Sequence, residues 1–297
     1  MKGNDFQNTK SSRSAFFGII LAGILWGTSA LFVNWLSPYG LSSIQMAFVR
    51  ALISALAMCL YALFFDRSLF RATRSQLCMY AISGVVIFLT GACYYGSILE
   101  SSVSTAVVLM YIAPVIVMVY SVLFLGEELT KIKLISLVCM LVGCALVSGI
   151  IGGFKFKVWG ILLGIMSGFA YAAYNISTKI EMQHKCNPAS ASMYCFIFMT
   201  VVSAFFARPA QVAAIAVSEP MSALLMVGCG LFTCVFPYFL YTLALKAMPA
   251  GTASSLSIVE PMAATLFSVT FLNERLDIFS VCGIVLILGA VFMLSRE

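Results

Sequence analysis

The chain has 297 residues, of which 62% are apolar and 9% charged, and a mean hydropathy of +1.05. A soluble domain carries about 45–50% apolar and about 25% charged residues, so a water-soluble fold is excluded and lipid is the expected solvent. The net charge of +6 comes without a basic stripe, which argues against a nucleic-acid partner.

A helix needs ~20 mainly apolar residues to cross the hydrocarbon core, and about ten stretches qualify. The first, 15–36, follows Lys2, Lys10 and Arg13 and carries Trp26. It is longer than the ~7–15 residues of a signal-peptide core, so it reads as a retained span. The second, 42–65, holds Arg50. The third, 76–98, holds Tyr94 and Tyr95, and the fourth, 102–125, holds Tyr111 and Pro114. The fifth and sixth, 131–150 and 158–179, flank Gly152-Gly153. The sixth places Tyr171, Tyr174 and Asn175 on one helical face at i, i+3 and i+4. Spans at 190–207, 221–245, 251–272 and 278–295 follow, with Tyr238 and Tyr241 in the eighth and Glu260-Pro261 in the ninth. The runs are continuous rather than alternating, which selects helices over a β-barrel. Nine of the ten cysteines lie inside these runs and no CxxC occurs, so cysteine reads as a small apolar residue.

With the N-terminus inside, twelve lysines and arginines fall on cytoplasmic segments and four on outer loops. Arg50 completes the total of 17. Positive charge stays in the cytoplasm, so both termini are expected there, in a multi-pass cell membrane protein, with Lys155 outside.

An offset of 147 residues lays Ser121–Leu129 on Ser268–Leu276 with six identities in nine positions. Pro114 then falls on Pro261 and Tyr94 on Tyr241. Proline, tyrosine and glutamate are costly in lipid, so these pairs weigh more than matched leucines. Two halves result, 1–150 and 151–297, each of five spans. An odd number forces the second half to insert upside down. The expected fold is an all-α membrane protein of ten transmembrane helices built from two inverted five-helix repeats, the architecture of alternating-access carriers.

Trp26-Gly27, Tyr111-Ile112-Ala113-Pro114 and Leu123-Phe124-Leu125-Gly126-Glu127 stand in the first half, and Ala244-Leu245-Lys246, Glu260-Pro261 and Phe271-Leu272-Asn273-Glu274-Arg275-Leu276 in the second. In these features the chain resembles the drug/metabolite transporter superfamily, in its ten-span EamA-like branch. Phe169-Ala170 replaces a common Trp-Ala pair, and Asn273 a usual glycine. The resemblance implies transport of amino acids, sugars, nucleotide derivatives or drugs, usually outward.

Two formal charges lie deep. A charge at the bilayer centre costs at least about 2.5–3.5 kcal/mol on insertion scales. Arg50 is eight or nine residues into its span. Glu260 precedes a proline that frees a backbone carbonyl one turn upstream. If both line one cavity they offer opposite partners for a zwitterion, or else they bond each other and seal a gate. Glu260 could also exchange a proton during a cycle. The candidate substrate-binding set is Trp26, Arg50, Tyr94, Tyr111, Tyr171, Tyr174, Asn175, Tyr238 and Glu260. Glu127, Glu274, Thr130 and Asp277 read as structural caps, and Gly23, Gly27, Gly160, Gly164 and Gly168 as close-packing surfaces.

The expected function is secondary transport, by export, of an amino acid or similar amphiphilic metabolite. A channel and a non-transporting sensor or scaffold are the alternatives. An intramembrane enzyme is disfavoured, since the sole histidine, His184, is in a loop and no metal or nucleophile set is visible. No cofactor is implied. The expected partners are the bilayer and a small molecule, and no feature selects an oligomeric state.

Overall fold

A computed structural model describes residues 2–100, 103–147, 157–271 and 278–294, and within them the chain is helical throughout. Seven helices are long and apolar enough to cross a bilayer: Ser14–Tyr39, Ser43–Phe65, Arg74–Ser97, Val158–Gln183, Pro188–Ala207, Pro220–Ala247 and Ala250–Phe271. They coincide with seven of the expected spans. The expected fourth, fifth and tenth spans fall on shorter helices, Val108–Phe124, Lys131–Val147 and Ile278–Leu294. Seventeen residues rise about 26 Å, just short of the ~30 Å hydrocarbon core. The ordinals of the expected spans are kept below.

Three features depart from the expected layout. The first helix starts at Lys2, well ahead of its apolar run. The sixth runs on to Gln183, four residues past its expected end at 179. A short helix, Pro209–Ser218, occupies what read as the loop between the seventh and eighth spans.

Large apolar side chains cover the outside. Phe64, Phe65, Phe205 and Val217 are 75–84% exposed, a surface that water would not tolerate. Small hydroxyls are found inside and tie helices together. Ser54 Oγ donates to the Gly230 carbonyl at 3.2 Å, and Ser97 Oγ to that of Gly160 at 2.7 Å. The glycines also bring backbones together, as expected. A Cβ at Gly27 would lie 2.8 Å from Ala263 Cβ, and one at Gly168 would lie 2.5 Å from Ile112 Cγ2 and 2.9 Å from the Leu109 carbonyl.

Helix packing reveals the repeat. Under the 147-residue offset the first span corresponds to the sixth, the second to the seventh, and so on. The third span packs on the sixth and, reciprocally, the eighth on the first. The ninth packs on the first and the fourth on the sixth. The second meets the seventh, the fourth meets the ninth, and the fifth meets the tenth. Reciprocal pairs of this kind are the mark of a two-fold relation. Its sense follows from the contacts. Gly23 and Gly27 adjoin Val259 and Ala263, so the first and ninth spans are parallel. Leu109 and Ile112 adjoin Gly164 and Gly168, so the fourth and sixth are parallel. Glu127 meets Ala250 while Tyr111 meets Glu260, so the fourth and ninth are antiparallel. The first and sixth spans, which open the two halves, therefore run in opposite directions, and the repeat is inverted.

The proline-bearing spans break at matched places. Val103–Met110 passes through Tyr111-Ile112 into Ala113–Phe124, and Ala250–Leu256 passes through Ser257-Ile258 into Val259–Phe271. Pro114 and Pro261 lie in the first turn of the second segment, where a missing N–H costs least. Thr130 accepts from the Lys133 N–H at 3.2 Å and caps the fifth span, as expected. Glu274 and Asp277 lie outside the described residues.

Candidate functional site

The site is built where the broken spans cross the first, sixth and eighth. Trp26 forms its centre. Its ring lies 5.1 Å from Tyr238, 5.5 Å from Tyr241 and 6.5 Å from Tyr171, mostly edge to face. Tyr171 stacks on Tyr174 at 6.5 Å, and Tyr174 meets Tyr238 edge-on at 5.5 Å, closing the cluster. Phe196 of the seventh span backs Tyr238 at 5.9 Å. Such edge-to-face contacts fix ring positions with more precision than apolar burial alone. The indole Nε1 of Trp26 has no hydrogen-bond partner among the described residues.

Arg50 enters from the second span. Nη1 donates to Tyr95 Oη at 2.6 Å and Nη2 to the Thr233 carbonyl at 3.0 Å, while Nε has no partner among the described residues. That carbonyl belongs to a π-helical turn, Leu231–Val235, directly ahead of Pro237 in the eighth span. A π turn loosens the regular i→i−4 ladder, and here it leaves a carbonyl available to a guanidinium. Tyr94 adjoins Tyr95 with ring centroids 5.6 Å apart.

Glu260 comes from the ninth span. Its Oε2 accepts from Tyr111 Oη at 2.8 Å. Tyr111 Oη is also 3.4 Å from the carbonyl of Ser257, the residue one turn before Pro261. Arg50 and Glu260 do not bond each other: the one ion pair among the described residues is Lys157–Glu100, at 3.5 Å. Each charge is instead held by its own tyrosine. They are still within electrostatic range, and Tyr94 lies in range of both. Both are half-buried, although helices from both halves surround them. Both therefore keep some accessible surface inside the bundle, whereas Trp26, Tyr171, Tyr174 and Tyr238 are buried.

Of the nine expected residues, Trp26, Tyr171, Tyr174 and Tyr238 form one aromatic wall. Arg50 with Tyr94 and Glu260 with Tyr111 complete the set. Asn175 differs. It is fully buried, and neither amide atom has a partner among the described residues. Tyr241, Tyr95 and Thr233 were not among the candidates. Tyr95 is signalled only by its adjacency to Tyr94, and the Thr233 carbonyl only by Pro237 four residues on. Glu127, expected to be structural, accepts from the Ala250 N–H at 2.7 Å and the Gly251 N–H at 3.3 Å, and so caps the ninth span from the fourth. Within the described residues no cluster of histidine, cysteine and carboxylate side chains could hold a metal ion.

Comparison with known proteins agrees with this architecture. A crystal structure superposes with a TM-score of 0.76 over 96% of this chain and 97% of its own, at 17% identity, and so shares the fold. A protein of Archaeoglobus fulgidus, described as an uncharacterized transporter, is 28% identical over 280 residues, covering 94% of this chain and 95% of its own. The uncharacterized transporter YwfM of Bacillus subtilis is 24% identical over 285 residues, covering 93% and 92%. The profile of the EamA-like transporter family matches twice, over residues 13–149 and 158–296. With both halves matched and the helices arranged as an inverted pair, this multi-pass membrane protein belongs to the EamA-like transporter family.

Proposed function

We propose that the chain exports an amino acid or similar amphiphilic metabolite as a secondary transporter, by alternating access. One observation carries this reading: an arginine and a glutamate of opposite halves, unpaired with each other, keep accessible surface within electrostatic range of one another, next to an aromatic cluster. Arg50 belongs to the half 1–150 and Glu260 to the half 151–297. A carboxylate would take the free Nε and the guanidinium edge of Arg50, whose fork suits it. An ammonium would take Glu260 Oε1, since Tyr111 occupies Oε2. The apolar part would lie on Trp26, Tyr171 and Tyr238. A zwitterion so held bridges the halves, and that differential contact favours a closed state. The excess of lysine and arginine supports a cell membrane protein with both termini in the cytoplasm. Glu260 is the group we assign to proton exchange in the cycle.

The test uses purified protein in proteoliposomes, with counterflow measured against amino acids, sugars and nucleosides, and a double-mutant cycle of Arg50→Met and Glu260→Gln. The zwitterion is held only when both its ends are bound, so loss of either partner already forfeits the pose, and the double variant should lose little more binding than either single one. Strictly additive effects, or counterflow with sugars alone, would overturn the zwitterion reading. An unchanged pH profile in Glu260→Gln would remove its proton role.

A further inference from the structure

A second carboxyl lies inside the bundle, away from this site. Glu181, on the sixth span, is 1% exposed, and its Oε1 is 2.5 Å from Ser83 Oγ of the third. Ser83 Oγ is 2.8 Å from Ser177 Oγ, one turn back on the sixth span. Ser177 Oγ is in turn 3.0 Å from the carbonyl oxygen of Tyr174. These are three hydrogen-bonding contacts in a line. A serine hydroxyl has a single proton to give, and a carbonyl has none. Three bonds need three protons, and the two serines supply two. The line is complete only when the third proton is on Glu181.

We propose that Glu181 is a proton-binding site whose occupancy sets the direction of a relay ending at Tyr174. With the proton bound, the carboxyl donates to Ser83, Ser83 to Ser177, and Ser177 to the Tyr174 carbonyl. When the proton leaves to water, the carboxylate accepts from Ser83 and Ser177 turns to donate to Ser83. The Tyr174 carbonyl then loses its side-chain donor. The exit is short, because Gln183, His184 and Lys185 are exposed just beyond Glu181, about 3 Å further along the helix for each two residues. The receiving end is the aromatic wall, since Tyr174 stacks on Tyr171 and meets Tyr238. The relay also crosses between halves, from the sixth span to the third and back.

The groups facing Glu181 are Tyr80 of the third span, Cys195 of the seventh and Tyr174 of its own helix, with Cys186 against Tyr80. None is a cation. Lys179, two residues away, is committed to the carbonyls of Leu245 and Met248, at 3.2 and 2.7 Å. No cation among the described residues lies within ion-pair distance of Glu181.

The proposal goes beyond the transport reading and does not depend on the cargo, so its test needs no substrate. Full-length protein in lipid, with tyrosine labelled at the backbone carbonyl carbon, is titrated with acid and followed by difference infrared spectroscopy. A carboxylic-acid C=O band should appear on acidification in the unaltered protein and in Glu260→Gln, and be lost in Glu181→Gln. Ser83→Ala should keep that band but move its frequency. A tyrosine carbonyl signal should shift with the same titration and stop responding in Ser177→Ala. In Glu181→Gln the amide N–H donates to Ser83 permanently, so this signal should stay at its acid position. An unaltered acid band in both Glu181→Gln and Ser83→Ala, or a tyrosine carbonyl signal that still titrates in Glu181→Gln, would overturn the proposal.

Discussion

Glu127 gives the sharpest test of how the halves separate. Its carboxylate takes the first two N–H groups of the ninth span, at 2.7 and 3.3 Å, from a position just past the fourth. Those N–H groups have no intrahelical partner, and Ala250 and Gly251 are buried. Glu127→Ala leaves both unpaired. A hydrogen bond to a charged group contributes about 1.5–3 kcal/mol, and the half-buried setting of Glu127 selects the low end. The contact joins the two halves, so under the proposed alternating access it must break whenever the face on which it lies opens. Losing about 1.5 kcal/mol from the closed state raises the open population about tenfold, at about 1.4 kcal/mol per decade. The assay places one cysteine at Thr252, behind the clamp, in an otherwise cysteine-free chain. An impermeant thiol reagent is then applied from that face. Labelling should be about ten times faster in Glu127→Ala. Glu127→Gln should be intermediate, because its amide oxygen still accepts one N–H. Equal labelling rates in protein with unchanged thermal unfolding would refute the reasoning.

Other expectations follow from particular contacts. Gly168→Ala should lower the unfolding midpoint in detergent by the equivalent of about 1–3 kcal/mol, because its Cβ would meet the Leu109 carbonyl at 2.9 Å. Gly289→Ala, which meets nothing within 4 Å, should leave the midpoint unchanged or raise it slightly. Ser42→Ala breaks the reciprocal capping box with Gln45 and should cost about 1 kcal/mol in the same measurement.

Much of the fold is legible in the sequence because lipid permits so few alternatives. Each apolar run had to be a helix, and five per half forced inversion. Pro114 and Pro261 located the matched breaks. The aromatic wall was legible from Tyr171 and Tyr174, whose spacing puts them on one face. Asn175 shares that spacing yet has no hydrogen-bond partner among the described residues, since periodicity gives a face and not a neighbour. The π turn at Leu231–Val235 was hidden because a shift in hydrogen-bond register leaves the pattern of apolar residues almost unchanged. Glu181 was missed for another reason. It falls beyond the expected end of the sixth span at 179, close to His184, whereas the helix runs on to Gln183 and turns it toward Ser83.

The two-fold packing has a consequence for any ligand held as proposed between Arg50 and Glu260. A scaffold with true two-fold symmetry offers each molecule two equivalent poses, one the flipped image of the other. Here the counterparts of Arg50 and Glu260 under the 147-residue offset are Ile197 and Ala113, so the charges occupy one diagonal only. The flipped pose would set a carboxylate and an ammonium against aliphatic groups. A zwitterion held as proposed would therefore have a single orientation, with each end attached to the same half. The frame is nearly palindromic, and the charges set within it have a fixed polarity.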